Sequence, residues 1–236
     1  MNILAMDTSN QVLGVAVIKD GNLAGEYMSN VQKNHSVRLM PAIYQLMSDT
    51  HTKPEELDRI VVAKGPGSYT GVRIGLTTAK TMGWALGIPV IAVSSLELVA
   101  RQATYFSGLI CPFFDARRGL VYTGLYEQNE AGELQLSKEE TNILFEDWLK
   151  QLKIEGKPVL FLSQDIKLHK QRIQEIMKEL AVFPTDSFYH IPRPSLMVDD
   201  LSEKEAEPVH SLTPSYLRLV EAEAKWLEQQ GEQKNG

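Results

Sequence analysis

The chain predicts an α/β fold built in two blocks, and three features support this. Short apolar runs alternate with helix-periodic segments through the first hundred residues. A second series of apolar runs then opens at Leu109–Phe114 and Val121–Tyr126. Both series start with one strand followed at once by another, which hints at an internal duplication. The boundary is expected near Ser107, giving a lobe over residues 1–107 and a smaller one over 108–236.

In order, Asn2–Met6 reads as a strand that ends at the polar turn Asp7-Thr8-Ser9. Leu13–Lys19 and Leu23–Ser29 flank Asp20-Gly21-Asn22, a hairpin signal, so three antiparallel strands are expected. His35–Thr50 reads as a helix with two adjacent apolar stripes, and Pro41 inside it is expected to kink or delay it. Arg59–Ala63 is a strand, Thr70–Leu86 a helix and Pro89–Val93 a strand. Ser94 or Ser95 is expected to cap a helix reaching Tyr105. In the second block, Ile143–Leu152 and Ile166–Leu180 read as helices around a strand at Val159–Leu162. An acidic linker spans Asp199–Pro208. Thr213-Pro214 then opens a final helix, with proline at its favoured first position, that frays into a polar tail at Gln229-Gln230-Gly231.

Composition narrows the function classes. A net charge of −6 and scattered lysines and arginines argue against a chain that grips nucleic acid alone. Cys111 is the single cysteine and sits among apolar neighbours, so it reads as a small buried hydrophobe in a reducing, cytoplasmic setting. The N-terminus does not read as a signal peptide. The longest uncharged run, Thr81–Leu96, falls short of the roughly 20 residues a membrane span needs.

The stretch KGPGSYTGVRIGLTTAK, Lys64–Lys80, holds four glycines. It lacks the Gly-Lys-Ser/Thr ending of a P-loop, because Val72 and Arg73 follow Gly71. Nor is it a dinucleotide fingerprint: Thr70 stands where a third glycine belongs, and no acidic residue lies about 20 positions on. Along the helix, Gly71, Gly75, Ala79 and Gly83 recur every four residues. Each interior glycine costs about 1 kcal/mol relative to alanine, so another backbone must pack closely on this stripe. That neighbour is either the chain's own sheet or a partner helix.

Six segments, taken in order, resemble the bacterial TsaB (YeaZ) family: MDTSNQVLGVAV, HSVRLMPAI, GPGSYTGVRIGLTTAK, GIPVIAVSSLE, FFDARRGLVYTGLY and PSYLRLVEAE. The first begins at Met6 and the last ends at Glu223, and the resemblance runs from Met1 to Glu223. The resemblance implies a two-lobed actin-like ATPase fold (the ASKHA, RNase H-like class) with mixed sheets flanked by helices and a reduced second lobe. It also implies a non-catalytic role in making N6-threonylcarbamoyladenosine beside the anticodon of tRNAs that read codons beginning with A. The expected partners are a TsaD-type transferase, as a heterodimer, and a TsaE-type ATPase in a larger complex. A homodimer is expected when the chain is alone, with tRNA met only through the complex and no membrane association.

Two features agree with a non-catalytic role. The positions matching the metal-binding His-x-x-x-His pair of TsaD hold Ser95 and Val99. Past Ser107 the glycines are isolated, so a second phosphate loop is not expected. Asp7, Thr8, Ser9, Gly65, Gly67 and Ser68 then form a vestigial nucleotide site that needs no cofactor and holds ATP or ADP at most weakly; no metal ligands are expected. His35, Leu39, Ile43, Met47, Gly71, Arg73, Gly75, Ala79 and Gly83 are expected to form the dimer or partner interface, a small four-helix bundle. His35 is expected to cap a helix or meet a partner. Asp115, Arg117 and Arg118 share one turn, either solvated or contacting RNA or a partner, and Tyr216, Arg218, Glu221 and Glu223 match the family's closing motif. The alternatives are an M22-type peptidase-like hydrolase and a residual ATPase or kinase. A His-Glu-x-x-His helix is missing for the former.

Overall fold

Polar turns between short apolar runs give the first sheet its antiparallel half. In the computed structural model, which describes residues 1–31, 34–198 and 208–217, β1 (Asn2–Asp7), β2 (Leu13–Lys19) and β3 (Asn22–Ser29) form a meander. Asp20 and Gly21 turn its hairpin with φ of 49° and 78°, both left-handed, which matches the twist of the flanking strands. β4 (Arg59–Ala63) and β5 (Val90–Val93) add parallel to β1, giving the order β3-β2-β1-β4-β5. The apolar runs of β1, β2 and β4 are buried on both faces.

The second sheet repeats the first strand for strand. β6 (Leu109–Asp115), β7 (Leu120–Gln128) and β8 (Leu134–Leu144) form the meander, and β9 (Val159–Leu162) and β10 (Ala181–Val182) extend it in parallel. Read from the meander edge, the order is β8-β7-β6-β9-β10. The duplication hinted at by the sequence is therefore a duplication of topology, and Asp115 at the end of β6 occupies the position of Asp7 at the end of β1. Two mixed sheets flanked by helices give the two-lobed α/β architecture that the sequence predicts.

Helices seal the faces. α1 (His35–Asp49) and α2 (Tyr69–Leu86) cover one face of the first sheet through Leu39, Ile43, Met47, Leu76 and Ala79. α3 (Ser95–Ala100) wedges between the sheets, with Leu98 against the first and Leu96, Val99 and Ala100 against the second. α4 (Phe145–Glu155) and α5 (Ile166–Met177) cover the outer face of the second sheet, around Phe113, Phe161, Leu149 and Ile173. Among the described residues, no helix is long and apolar enough to cross a membrane.

Several expectations are corrected here. The small stripe of α2 faces the chain's own first lobe and presents nothing to a partner. A side chain at Gly71 would collide with the Thr8 carbonyl oxygen, one at Gly75 would lie 2.6 Å from Thr8 Oγ1, and one at Gly83 would strike Val90. Ala79, Leu39, Ile43 and Met47 are likewise core residues. Pro41 lies inside an α1 that runs unbroken from His35 to Asp49. α3 is a short helix that passes into a 3₁₀ turn at Arg101–Ala103. Ile143 belongs to β8, an edge strand whose polar middle (Ser137–Glu140) disguises it. Thr213–Tyr216 are not helical, and Arg218, Glu221, Glu223 and most of the acidic linker lie outside the described residues. Met197 and Leu212 return to the clusters on the two faces of the first sheet, because those faces hold the apolar surface that needs covering.

Gly71→Ala is therefore expected to lower thermal stability by about 1–3 kcal/mol, the usual cost of overpacking. Where the variant stays folded, its sedimentation coefficient should match that of the native chain. Thermal melts and sedimentation velocity on one sample separate the two effects.

Candidate functional site

The turn after β1 has the ingredients of a phosphate grip, but its donors are engaged within the chain. Asp7 is buried; its Oδ1 accepts the Ser9 amide at 2.7 Å, and its Oδ2 has no hydrogen-bond partner. Thr8 Oγ1 donates to the Gly71 carbonyl at 2.7 Å, and the Ser68 amide donates to the Ser9 carbonyl, also at 2.7 Å. A side chain at Gly67 would collide with the Ser9 carbonyl oxygen, so the glycine loop lies directly on the turn. Ser68 itself caps α2, its hydroxyl accepting the Gly71 amide. Gly65 exchanges two hydrogen bonds with Ser95, donating its amide to Ser95 Oγ and accepting the Ser95 amide.

The structure thus brings together Asp7, Thr8, Ser9, Gly65, Gly67 and Ser68 as one interlocked unit. His35 joins it: its Nε2 lies 2.9 Å from the Asn10 carbonyl, which ties the first residue of α1 to the same turn. Asn34, His35, Ser68 and Gly71 line a cavity of about 460 Å³ at its mouth. Burial pushes the Asp7 carboxyl above the usual carboxylate range, against the lowering effect of its Ser9 hydrogen bonds and of His35.

The positions that match a metal-binding pair serve other ends. Ser95 closes α3 onto the glycine loop, and Val99 is buried in the inter-lobe cluster. Among the described residues, no group of three histidines, cysteines or carboxylates could hold a metal ion. Cys111 is buried, and burial pushes its thiol up to about 11, although Trp148 and Thr123 bond its sulfur.

In the second lobe, Asp115 accepts a contact from His169 Nε2 at 3.0 Å and the Arg117 amide at 3.2 Å. Arg117, Arg118 and Gly119 are consecutive left-handed residues (φ 64°, 56° and 76°) that turn β6 into β7 with both arginines exposed.

The exposed side of the helix pair differs in character. α1 presents Val37, Met40 and Tyr44, which are 65%, 48% and 75% exposed, and α2 presents Tyr69, Arg73 and Trp84. Ser36 borders the same depression as Tyr69, Arg73 and Thr77, so the two stripes adjoin. Tyr69 stacks on Tyr216 with centroids 5.6 Å apart, and the Arg73 guanidinium lies 4.0 Å from the Tyr69 centroid while its Nε donates to Tyr216 Oη at 2.7 Å. Of the expected interface residues, Arg73 alone is fully exposed on this face; His35 is half-buried beside it. Met40 and Tyr44 belong to the second of the two apolar stripes read in this helix but are not among the expected interface residues; Val37 lies on neither stripe.

The family model for TsaD, tRNA N6-adenosine threonylcarbamoyltransferase, matches residues 28–226. The TsaB protein of Bacillus subtilis, a tRNA threonylcarbamoyladenosine biosynthesis protein, is 52% identical over 98% of this chain and 100% of its own length. The chain belongs to the bacterial TsaB (YeaZ) family. The Escherichia coli TsaB protein is 31% identical over 56% of this chain and 58% of its own length. A solved structure titled YeaZ from Pseudomonas aeruginosa superposes with a TM-score of 0.76 at 23% identity, over 92% of this chain and 99% of that one, so the TsaB family fold is shared throughout.

Because folding raises the pKa of Asp7, the folded state binds its proton more tightly than the unfolded chain does. The stability this provides is complete below the unfolded pKa and is lost as pH rises through the folded one. Asp7→Asn keeps an acceptor for the Ser9 amide and removes the buried charge. It is expected to be more stable than the native chain at pH 7, with the gap closing as pH falls through the raised folded pKa and gone below the ordinary carboxyl value of 3.8. Urea unfolding at pH 7 and pH 3 checks this.

Proposed function

We propose that the chain is a non-catalytic subunit of the complex that forms N6-threonylcarbamoyladenosine in tRNA, docking a TsaD-type transferase through the exposed stripes of α1 and α2. A TsaE-type ATPase joins the assembly, tRNA is met only through it, and the same helix face forms a homodimer when the chain is alone. The observation that carries this reading is the juxtaposition of two unlike surfaces. The nucleotide-type turn gives the Thr8 hydroxyl and the Ser9 carbonyl to its own glycine loop, while the adjoining helices expose aliphatic and aromatic side chains around an arginine, the composition of an interface core. The full-length relationship to a protein named for threonylcarbamoyladenosine biosynthesis supplies the pathway.

The subunit needs no nucleotide of its own, and residual ATP or ADP binding is weak. With a net charge of −6, it leaves RNA binding to its partners; Asp115, Arg117 and Arg118 are the residues we assign to RNA or partner contact within the assembly.

Two measurements test this. In a reconstituted reaction, the chain alone is expected to form no modified tRNA and to restore activity when added to the TsaD-type and TsaE-type proteins. Product from the chain alone, or a complex equally active without it, would overturn the proposal. Val37→Asp with Tyr44→Asp is expected to weaken binding of the TsaD-type protein by about thirtyfold or more, the weight of a hot spot of at least about 2 kcal/mol. Because both side chains are exposed, the melting temperature should barely move.

A further inference from the structure

Arg73 stands exposed on the helix-pair face, yet its side chain is held in one place. Its guanidinium carbon lies 4.0 Å from the Tyr69 centroid and 5.8 Å from the Tyr216 centroid, and the two rings stack with an interplanar angle of 25°. Nε is spent on Tyr216 Oη at 2.7 Å. The groups that act on the guanidinium are those two tyrosines, and among the described residues no carboxylate pairs with it. The two terminal nitrogens therefore keep their N–H groups in a planar fork, the shape that takes both oxygens of a carboxylate.

The setting suits an acidic side chain. Beside Arg73 lies a depression of about 510 Å³, lined by Ile74 and by the hydroxyl-bearing Ser36, Thr70, Thr77 and Thr78. The face is also poor in acid. Although the whole chain has a net charge of −6, α1, α2 and residues 208–217 hold a single carboxylate between them, Asp49. Asp49 is the last residue of α1, roughly 20 Å of helix from Ser36, and accepts a hydrogen bond from Gln45 at 2.8 Å. A second copy docking symmetrically would set the same patch against itself. Its helices would then offer Arg73 the same shortage of acid, whereas a partner helix carrying a carboxylate would not.

We propose that Arg73 is the specificity-determining residue of this face, its fork taking a carboxylate on the docking helix of the TsaD-type partner, a group that the matching helices of a second copy lack at that end. The inference rests on the docking role proposed above and names the chemistry that selects the partner. Tyr69 and Tyr216 are positioning residues: they hold the guanidinium in place, so little side-chain freedom is lost when it pairs.

The test measures two affinities for each variant of the full chain. Titration calorimetry reads binding of the TsaD-type protein, and sedimentation equilibrium reads self-association. Arg73→Leu, which keeps an apolar stem beside Tyr69, is expected to weaken partner binding by about tenfold or more while self-association weakens by no more than about twofold. Arg73→Lys keeps the charge without the fork and should fall between Arg73→Leu and the native chain. Added salt should weaken partner binding by the native chain, and Arg73→Leu should lose most of that dependence, which a merely structural role would leave in place. Equal losses in both affinities, or partner binding by Arg73→Leu that matches the native chain, would overturn the inference. Val37→Asp with Tyr44→Asp separates the two readings. If that variant binds the partner normally, the docking role fails and the Arg73 inference with it; if it binds weakly while Arg73→Leu binds normally, the Arg73 inference alone fails.

Discussion

The glycine loop lying on the turn that ends β1 governs much of this structure. Thr8 and Ser9 offer their hydroxyl and carbonyl groups to Gly71 and Ser68, and a Cβ at Gly67 or Gly71 would strike that turn. The approach sets α2 close on the first sheet, and α2 in turn fixes the ledge along which residues 208–217 run back over the first lobe. Beside the glycine loop, Asp7 is a buried carboxyl with one oxygen unpartnered.

In the proposed reading, function lies on the surface rather than at this turn. A small-residue stripe covered by its own sheet cannot be the seam with another protein, and the outward stripes of the same two helices take that role in the proposal. Val37, Met40, Tyr44, Tyr69 and Trp84 are too exposed to stabilise the monomer, and at least three lie close enough on α1 to form one patch. The stacked Tyr69–Tyr216 pair with Arg73 gives the patch a rigid edge that loses little side-chain freedom on docking.

Much of the architecture was legible in the sequence, because burial on both faces gives β1, β2, β4, β6 and β9 continuous apolar runs and the Asp20-Gly21 turn announces its hairpin. β8 was not. As an edge strand with Ser137-Lys138-Glu139-Glu140 at its centre it has no apolar run, and Glu140, which joins the lobes, was missed with it. Periodicity identified Gly71, Gly75, Ala79 and Gly83 as closely packed but could not say against what, since a sheet and a partner helix demand the same small residues. The return of Met197 and Leu212 to the first lobe leaves no periodic trace in segments so short.

The central claim is that the β1 turn acts as a structural clamp while the work is done by the helix face. The most direct measurement is the rate of threonylcarbamoyladenosine formation by the reconstituted proteins with Asp7→Asn in place of the native chain, at a concentration that saturates the complex. The account predicts a rate within about twofold of native, because no step uses the Asp7 charge. A hundredfold loss with the complex fully assembled, about 2.7 kcal/mol of transition-state stabilisation, would contradict it and return the chemistry to the turn.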